Sequence, residues 1–555
     1  MTARMFADLH CHPTFYAFNR MRNTPAMEES PESFHPWHEL PSDIASQEIG
    51  GRARNYSQCS FARMARGNVR LVFMSFTPIE RGFFEGSASG DDHAFSAELL
   101  RLVSGVTLAR SARKLLGGKP QEAFREAGRI LRNDGPLRQL IQSLFLKYSF
   151  KRVRYILSGE YDYWDEFLRE YAFLCTRDGD TVRVALETSV ETCLVEGCYH
   201  LVATPAALEE VIEKNERDMA VLLTIEGGHV FSIGPDQKPV APALMFERIA
   251  LLKSLPHPIF FITIAHHFDN GLCGHAHSLV DAAGHIMDQK PRMNEDFERD
   301  GDLGVRVVLE LLDLDEKLVD QGGRRILIDS KHMSARTRKS FYEEIVKPYN
   351  ERHGARPAKE RKRYPKLPVI FSHAGYSGVA TLDEQISDAF RENDHWHRNP
   401  YYAWNINLSD EDVRLVHDSE GLVGLCFDRR IAGIAPGEKV PLETWPRIML
   451  NQIFGLVDVI MLDERLKAAD RRTIWDRICI GSDYDGMIDP IAIYPTAMSM
   501  PRFSDDLRSL LNEYRHTRMI EQIGVDVLVE KIAWRNAYDF SKKHFPAAST
   551  GLEDI

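Results

Sequence analysis

The sequence predicts an α/β protein, a (β/α)8 barrel of the TIM type with a large helical insertion between strands 2 and 3. Three observations predict it: eight short apolar runs rich in β-branched residues, amphipathic helical patterns between many of them, and polar residues where the runs end. Near-continuous apolar runs are typical of parallel strands buried on both faces. Their alternation with helices favours a barrel.

The eight predicted strands are spread from the first residues of the chain to its last hundred. In chain order they are Met5–His10, Val69–Phe76, Met219–Gly228, Ile259–His267, Arg325–His332, Pro368–Gly375, Gly421–Asp428 and Arg477–Gly486. Two of the intervening helices have clear boundaries. One is predicted over Asp302–Gly322, ending at a Gly-Gly pair, and the other over Ser409–Gly421, beginning with a serine cap and an acidic first turn.

The uneven spacing of the strands predicts four regions. Residues 1–90 hold the first two strands, 91–200 a mostly helical insertion, 201–545 the rest of the barrel, and 546–555 a C-terminal tail. The insertion is basic, since Arg101–Tyr155 has 13 Lys or Arg and 3 Asp or Glu, and Glu351–Lys366 is basic as well. Solvated or inter-subunit faces are the simpler interpretation, and binding of an acidic partner stays open.

Composition excludes several classes of protein. The 555 residues carry a net charge of −12, which does not favour nucleic acid as a partner of the whole molecule. The eight cysteines form no C-x-x-C pair, so a reducing compartment is expected. Neither a membrane-spanning apolar stretch nor a signal peptide is recognisable. We therefore expect a cytoplasmic protein that acts on a small molecule without membrane contact, with a homo-oligomer left open.

Polar side chains follow the predicted strands at the ends where barrel enzymes carry their chemistry. His10 and His12 are two residues apart and would share one face of an extended strand. Imidazole and carboxylate groups are ligands of zinc and related ions, and a carboxylate such as Glu226 could bridge two of them. The remaining strand ends contribute His266, His332, His373 and Asp483.

Five motifs in this order resemble those of the membrane (renal) dipeptidase family, peptidase family M19, within the amidohydrolase superfamily. After the initial H-x-H they read Thr224–Val230 (TIEGGHV), Ile262–Asn270 (ITIAHHFDN), Ile328–Ser334 (IDSKHMS), Val369–Gly375 (VIFSHAG) and Ile480–Gly486 (IGSDYDG). They extend from the first strand to the last and leave the insertions uncovered.

The resemblance implies a two-metal site. His10, His12 and Asp483 would hold one ion, His332 and His373 the second, and Glu226 would bridge them. Zinc is the expected metal, with manganese, iron and cobalt left open. His266 would stabilise the oxyanion, and Asp483 would transfer a proton to the leaving amine. Asp8, His229 and Asp485 would orient the ligands, with local turn or cap bonding as the alternative.

Two positions depart from the family pattern. His12 stands where the human-type dipeptidases have aspartate, which exchanges one ligand type for another. Ile406 stands where the family has the arginine that binds the carboxylate of the dipeptide. Either another cation binds that group, with Arg398, Arg429 and Arg430 as candidates, or the substrate has no carboxylate there.

The expected function is therefore that of a binuclear metallohydrolase that cleaves an amide bond, in a dipeptide or a related small amide. The catalytic residues would be Asp483, His266 and Glu226. Hydrolysis of an N-acyl or cyclic amide is the alternative within this class. A different class, a barrel scaffold whose basic insertion binds an acidic partner, also stays open.

Overall fold

The computed structural model describes residues 5–23, 35–38, 57–84, 150–188, 191–235, 238–279, 288–387, 401–434 and 439–545. Eleven strands lie in this part of the chain. They are β1 (Phe6–Cys11), β2 (Val69–Phe76), β3 (Val182–Glu187), β4 (Thr192–Gly197), β5 (Tyr199–Leu201), β6 (Met219–Glu226), β7 (Ile259–Thr263), β8 (Leu327–Asp329), β9 (Ile370–Ala374), β10 (Leu422–Leu425) and β11 (Ile478–Ile480).

Eight of these strands form a parallel barrel in the order β1-β2-β6-β7-β8-β9-β10-β11. They correspond to the eight apolar runs, so the predicted (β/α)8 barrel is confirmed, whereas most of the predicted helical insertion lies outside the described residues. The barrel is closed just beyond β11, where the amide of Asp483 donates to the carbonyl of His10 (2.9 Å) and the amide of His12 to that of Tyr484 (3.0 Å). Closure therefore occurs between two segments that carry predicted site residues.

Apolar packing fills the barrel. All eight barrel strands contribute to one buried cluster, which includes Leu9, Leu71 and Phe261, and the C-terminal helix Asn536–His544 joins it through Tyr538. A larger buried cluster lies between the strands and the surrounding helices. The strands are buried along their lengths because both faces of the sheet are covered.

Helices connect and surround the strands. The described α-helices are Phe15–Asn23, Phe61–Arg66, Phe150–Ile156, Tyr163–Cys175, Pro205–Glu209, His229–Ser232, Pro242–Ser254, Leu303–Leu312, Ala335–Phe341, Lys347–His353, Ala358–Arg363, Leu382–Ser387, Asp410–Asp418, Trp445–Met461, Ala468–Arg472, Met500–Glu513, Ile520–Ile523, Val525–Glu530 and Asn536–His544. None of the helices in the described ranges is both long and apolar enough to cross a membrane.

One predicted helix ends early. The pattern predicts a helix over Asp302–Gly322, but the α-helix is Leu303–Leu312. Asp313 adopts a left-handed conformation (φ 59°), and its amide bonds back to the last turn, so the helix stops there. The second helix is Asp410–Asp418, with the predicted serine cap present at Ser409.

The described part of residues 91–200 contains two kinds of structure. The helices Phe150–Ile156 and Tyr163–Cys175 are followed by an antiparallel hairpin of β3 and β4, and β5 then pairs in parallel with the first residues of β6. Residues 91–149, with most of the basic stretch, lie outside the described residues, as does the tail 546–555.

A buried arginine anchors the loop that follows β9. Arg338, on the helix Ala335–Phe341, donates to Asp412 Oδ2 (2.8 Å) and to Gln385 Oε1 (2.7 Å). The same guanidinium donates to the backbone carbonyl of Asn405 (2.8 Å). Because this loop carries Ile406, the arginine helps to position one wall of the barrel mouth.

We predict that Arg338→Met lowers the free energy of unfolding by about 3–5 kcal/mol, since it leaves Asp412 buried without its counter-charge. Urea unfolding of the two proteins measures the difference. The matched control is Arg336→Met, an exposed arginine on the same helix, which we expect to change stability by less than about 0.5 kcal/mol. Equal stability of the two variants would contradict the anchoring role.

Candidate active site

The predicted ligands meet at one end of the barrel, where the parallel strands terminate. His10 lies at the end of β1, His12 follows it, and Glu226 ends β6. His373 lies in β9, and His332 and Asp483 follow β8 and β11 by three residues each. These side chains come from five strands that are spread from β1 to β11, and each of the six residues is at most 9% exposed.

The carboxylate of Glu226 is at the centre of the site. Five imidazole Nε2 atoms lie within 3.6 Å of its two oxygens. Oε1 is near His332 (3.3 Å), His10 (3.4 Å) and His373 (3.6 Å), whereas Oε2 is near His12 (3.3 Å) and His266 (3.5 Å). Both oxygens therefore face groups that can share a cation with them.

Asp483 approaches the same histidines from the opposite side of the barrel mouth. Its Oδ1 lies 3.8 Å from His10 Nε2 and 3.7 Å from His12 Nε2, and its Oδ2 lies 3.7 Å from His373 Nε2. Asp483 and His332 adopt left-handed conformations, with φ of 61° and 63°. This conformation is uncommon in residues other than glycine, although aspartate and histidine adopt it more readily than most.

The site fits divalent metal ions. The Nε2 atoms of His10 and His12 are buried and have no hydrogen-bond partner among the described residues. Four ligand atoms, one each from His10, His12, Glu226 and Asp483, lie within 4.8 Å of one another, as do those of Glu226, His266 and His332. Ligands bound at about 2.0–2.1 Å in tetrahedral geometry are about 3.3 Å apart. The closest separations around Glu226 have this value.

Burial and neighbouring charges together set the protonation of the side chains at the site. Burial lowers the pKa of His332 to about 3 and that of His373 well below its usual value, so both present a neutral nitrogen. Burial also disfavours the charged form of His12, but Asp483 and Glu226 outweigh it and raise its pKa to about 10. Burial raises the pKa of Glu226, yet the charges of His10 and His266 reverse the shift and lower it well below normal.

Hydrogen bonds orient two of the histidines. His12 Nδ1 lies 3.0 Å from the carbonyl of Ser75, and His373 Nδ1 lies 2.9 Å from Ser372 Oγ. Each contact directs the Nε2 atom of the same ring toward the carboxylates. Contacts of this type fix the ring and tautomer of a metal-binding histidine.

The three predicted orienting residues make different contacts. Asp8 accepts from the amides of Ser482 (2.8 Å) and His10 (3.3 Å), so it joins β1 to the segment after β11. Asp485 accepts from the amides of Gln58 and Cys59 and secures the loop before the helix Phe61–Arg66. His229 Nε2 lies 2.9 Å from the carbonyl of Pro78.

Sequence reasoning missed Glu80, which is buried beside His266. Its Oε2 bonds to His266 Nδ1, and its Oε1 accepts from the amide of Phe268 (3.2 Å). Burial by itself lowers the pKa of His266, but the charges of Glu80 and Glu226 raise it above the usual value. Its position in the sequence could have identified it. Glu80 follows the end of β2 by four residues, just as other site residues follow their strands.

The candidate substrate-binding arginines are occupied or not described. Arg398 lies outside the described residues. Arg429 Nε is 3.7 Å from Asp489 Oδ2, and Arg430 makes a two-point contact with Asp428. Ile406 lines the cavity over the site together with Trp404, so the wall where the resemblance implies an arginine is apolar.

We predict that Glu80→Gln lowers the pKa of His266, because the variant removes a carboxylate charge that favours the imidazolium. NMR titration of histidine resonances in the metal-free protein measures this change. The control is Glu343→Gln, an exposed glutamate whose loss should leave His266 unchanged. An unchanged pKa in Glu80→Gln would show that Glu80 does not govern this proton.

Comparison with known proteins gives structural neighbours only. No protein-family model and no curated protein match the sequence. A metallopeptidase from Rhodobacter sphaeroides, bound to a phosphinate mimic of the dipeptide L-Ala-D-Ala, is 13% identical with a TM-score of 0.44, covering 98% of this chain and 100% of that one. A family M19 dipeptidase is 13% identical with a TM-score of 0.44, covering 98% of this chain and 99% of that one. A probable dipeptidase, PvdM from Pseudomonas aeruginosa, is 12% identical with a TM-score of 0.36, covering 89% of this chain and 90% of that one. At these values the likeness identifies no activity for the present chain.

Proposed function

We propose that the chain is a binuclear metal-dependent hydrolase that cleaves the amide bond of dipeptides or related small amides. The observation that carries this proposal is the Glu226 carboxylate, with five imidazole nitrogens 3.3–3.6 Å from its oxygens. Burying so many ionisable side chains together is costly unless they bind cations, and the packing of the core does not require them there. The sequence resemblance to membrane dipeptidases agrees with the same chemistry.

The residues of the chain would divide the tasks. One divalent ion would be held by His10, His12 and Asp483, and the other by His332 and His373. Glu226 would be shared by both ions, and zinc is the expected metal. When bound, such ions supply Lewis acidity and lower the pKa of water. His266, held by Glu80, would donate a hydrogen bond to the oxygen of the scissile carbonyl as negative charge develops there.

Asp483 is suited to carry the proton. Burial raises its pKa above the usual value, although the nearby His12 opposes the shift. A carboxylate whose pKa is closer to neutrality accepts a proton from the attacking water and returns it to the leaving amine more readily. It lines the cavity above the site, where a bound amide would lie.

We predict that the purified protein binds two divalent ions per chain and that Glu226→Gln binds one or none, because the variant loses a charged ligand shared by both ions. Elemental analysis after dialysis against zinc measures the stoichiometry. Glu343→Gln is the matched control and should retain two ions. Two ions retained by Glu226→Gln, or none bound by the unaltered protein, would contradict the proposal.

We predict that Asp483→Asn lowers kcat for dipeptide hydrolysis by about 10²–10⁴-fold, since asparagine cannot accept the proton. Amine release from a panel of L,L- and L,D-dipeptides by zinc-loaded protein measures this effect. Asp418→Asn, an exposed position, serves as the control and should leave kcat unchanged. Dipeptide turnover by Asp483→Asn at the unaltered rate would exclude this role.

A further inference from the structure

Lys331 is a buried lysine at the mouth of the barrel that the hydrolytic machinery does not use. It follows β8 and precedes His332, and the residue is 1% exposed. Its backbone amide donates to Asp329 Oδ1 (3.0 Å). Among the described residues, its ammonium group has no recorded hydrogen bond or ion pair.

A buried ammonium without a counter-charge is costly, so the structure should provide a reason for it. The neighbouring acids are already engaged. Asp329 accepts from Thr263 Oγ1 and from the amide of Ser372, and Asp428 holds Arg430. The carboxylates of Glu226 and Asp483 face the histidines.

The surroundings place this charge in the cavity. Lys331 lines the same cavity as Glu226, Asp483 and His266, beside the apolar wall of Trp404 and Ile406. Arg430 also lines the cavity but is neutralised by Asp428. Lys331 is therefore the cavity cation whose charge no acidic side chain in the described structure neutralises directly.

We propose that Lys331 binds a carboxylate of the substrate and so selects amides that carry a free carboxylate near the scissile bond. This inference rests on the proposed hydrolase function. It identifies a cation that could replace the arginine absent at position 406, at a different place on the cavity wall. A substrate carboxylate would supply the paired counter-charge that this ammonium lacks among the described residues.

The test compares alanyl-alanine with its C-terminal amide as substrates of zinc-loaded protein. The unaltered protein should prefer the free acid by about tenfold or more in kcat/KM. Lys331→Met should raise KM for the acid by about 10–100-fold while kcat stays within about threefold, and should leave the amide unaffected. Lys331→Gln provides a second uncharged side chain, and Lys366→Met, at a half-buried lysine beside Glu420 and outside the cavity, is the control.

Two kinetic outcomes would overturn the inference. One is equal use of acid and amide by the unaltered protein, and the other is an equal loss on both substrates in both Lys331 variants. Either result would leave the hydrolase function intact.

Calorimetry separates failure of the hydrolase from failure of this inference. We expect N-acetylglycine to bind the unaltered protein about tenfold more tightly than N-acetylglycinamide, and we expect Lys331→Met to remove that difference. If neither alanyl-alanine nor its amide is cleaved but this binding pattern holds, the carboxylate site stands and the proposed reaction fails. If the two probes bind equally, the carboxylate site fails whatever the enzyme cleaves.

Discussion

The structure depends above all on one buried carboxylate, Glu226, at the end of the third barrel strand. Each of its oxygens faces imidazoles from other strands, at distances that suit a shared cation. Removing five histidines and two carboxylates from water is unfavourable unless their charges and lone pairs are satisfied. A cation site resolves this cost, and it explains why so many buried histidines and carboxylates converge at this end of the barrel.

The frame around this site is rigid because other buried carboxylates join the strand ends. Asp8 connects β1 to Ser482 beyond β11, at the line where the barrel closes. Asp329 connects three neighbouring strands, accepting from Thr263 and from the amide of Ser372. These bonds hold the backbone that presents His10, His332 and His373, so the ligand positions are set before any ion or substrate binds.

Above the candidate metal ligands, the cavity combines an apolar wall with the ammonium of Lys331, which makes no ion pair with another described residue. Trp404 and Ile406 supply the wall, and their loop is held from behind by Arg338 through the carbonyl of Asn405. Arg429 and Arg430 already pair with the carboxylates of Asp489 and Asp428. Substrate choice would therefore depend on Lys331 and on the shape of the wall, whereas the reaction would depend on Glu226, His266 and Asp483.

The sequence by itself determined the eight strands and the polar residues at their ends, because both signals are local. A buried parallel strand is a short apolar run, and His10, His332 or Asp483 follows its run within a few residues. Only the tertiary structure decided the partners. Glu80 joins His266 across 186 residues. Lys331 is buried, and its ammonium makes no ion pair with another described residue. The helix after Asp302 ends at Leu312 because Asp313 adopts a left-handed conformation. The first two features depend on contacts between segments that are distant in sequence, so the local pattern of residues cannot predict them.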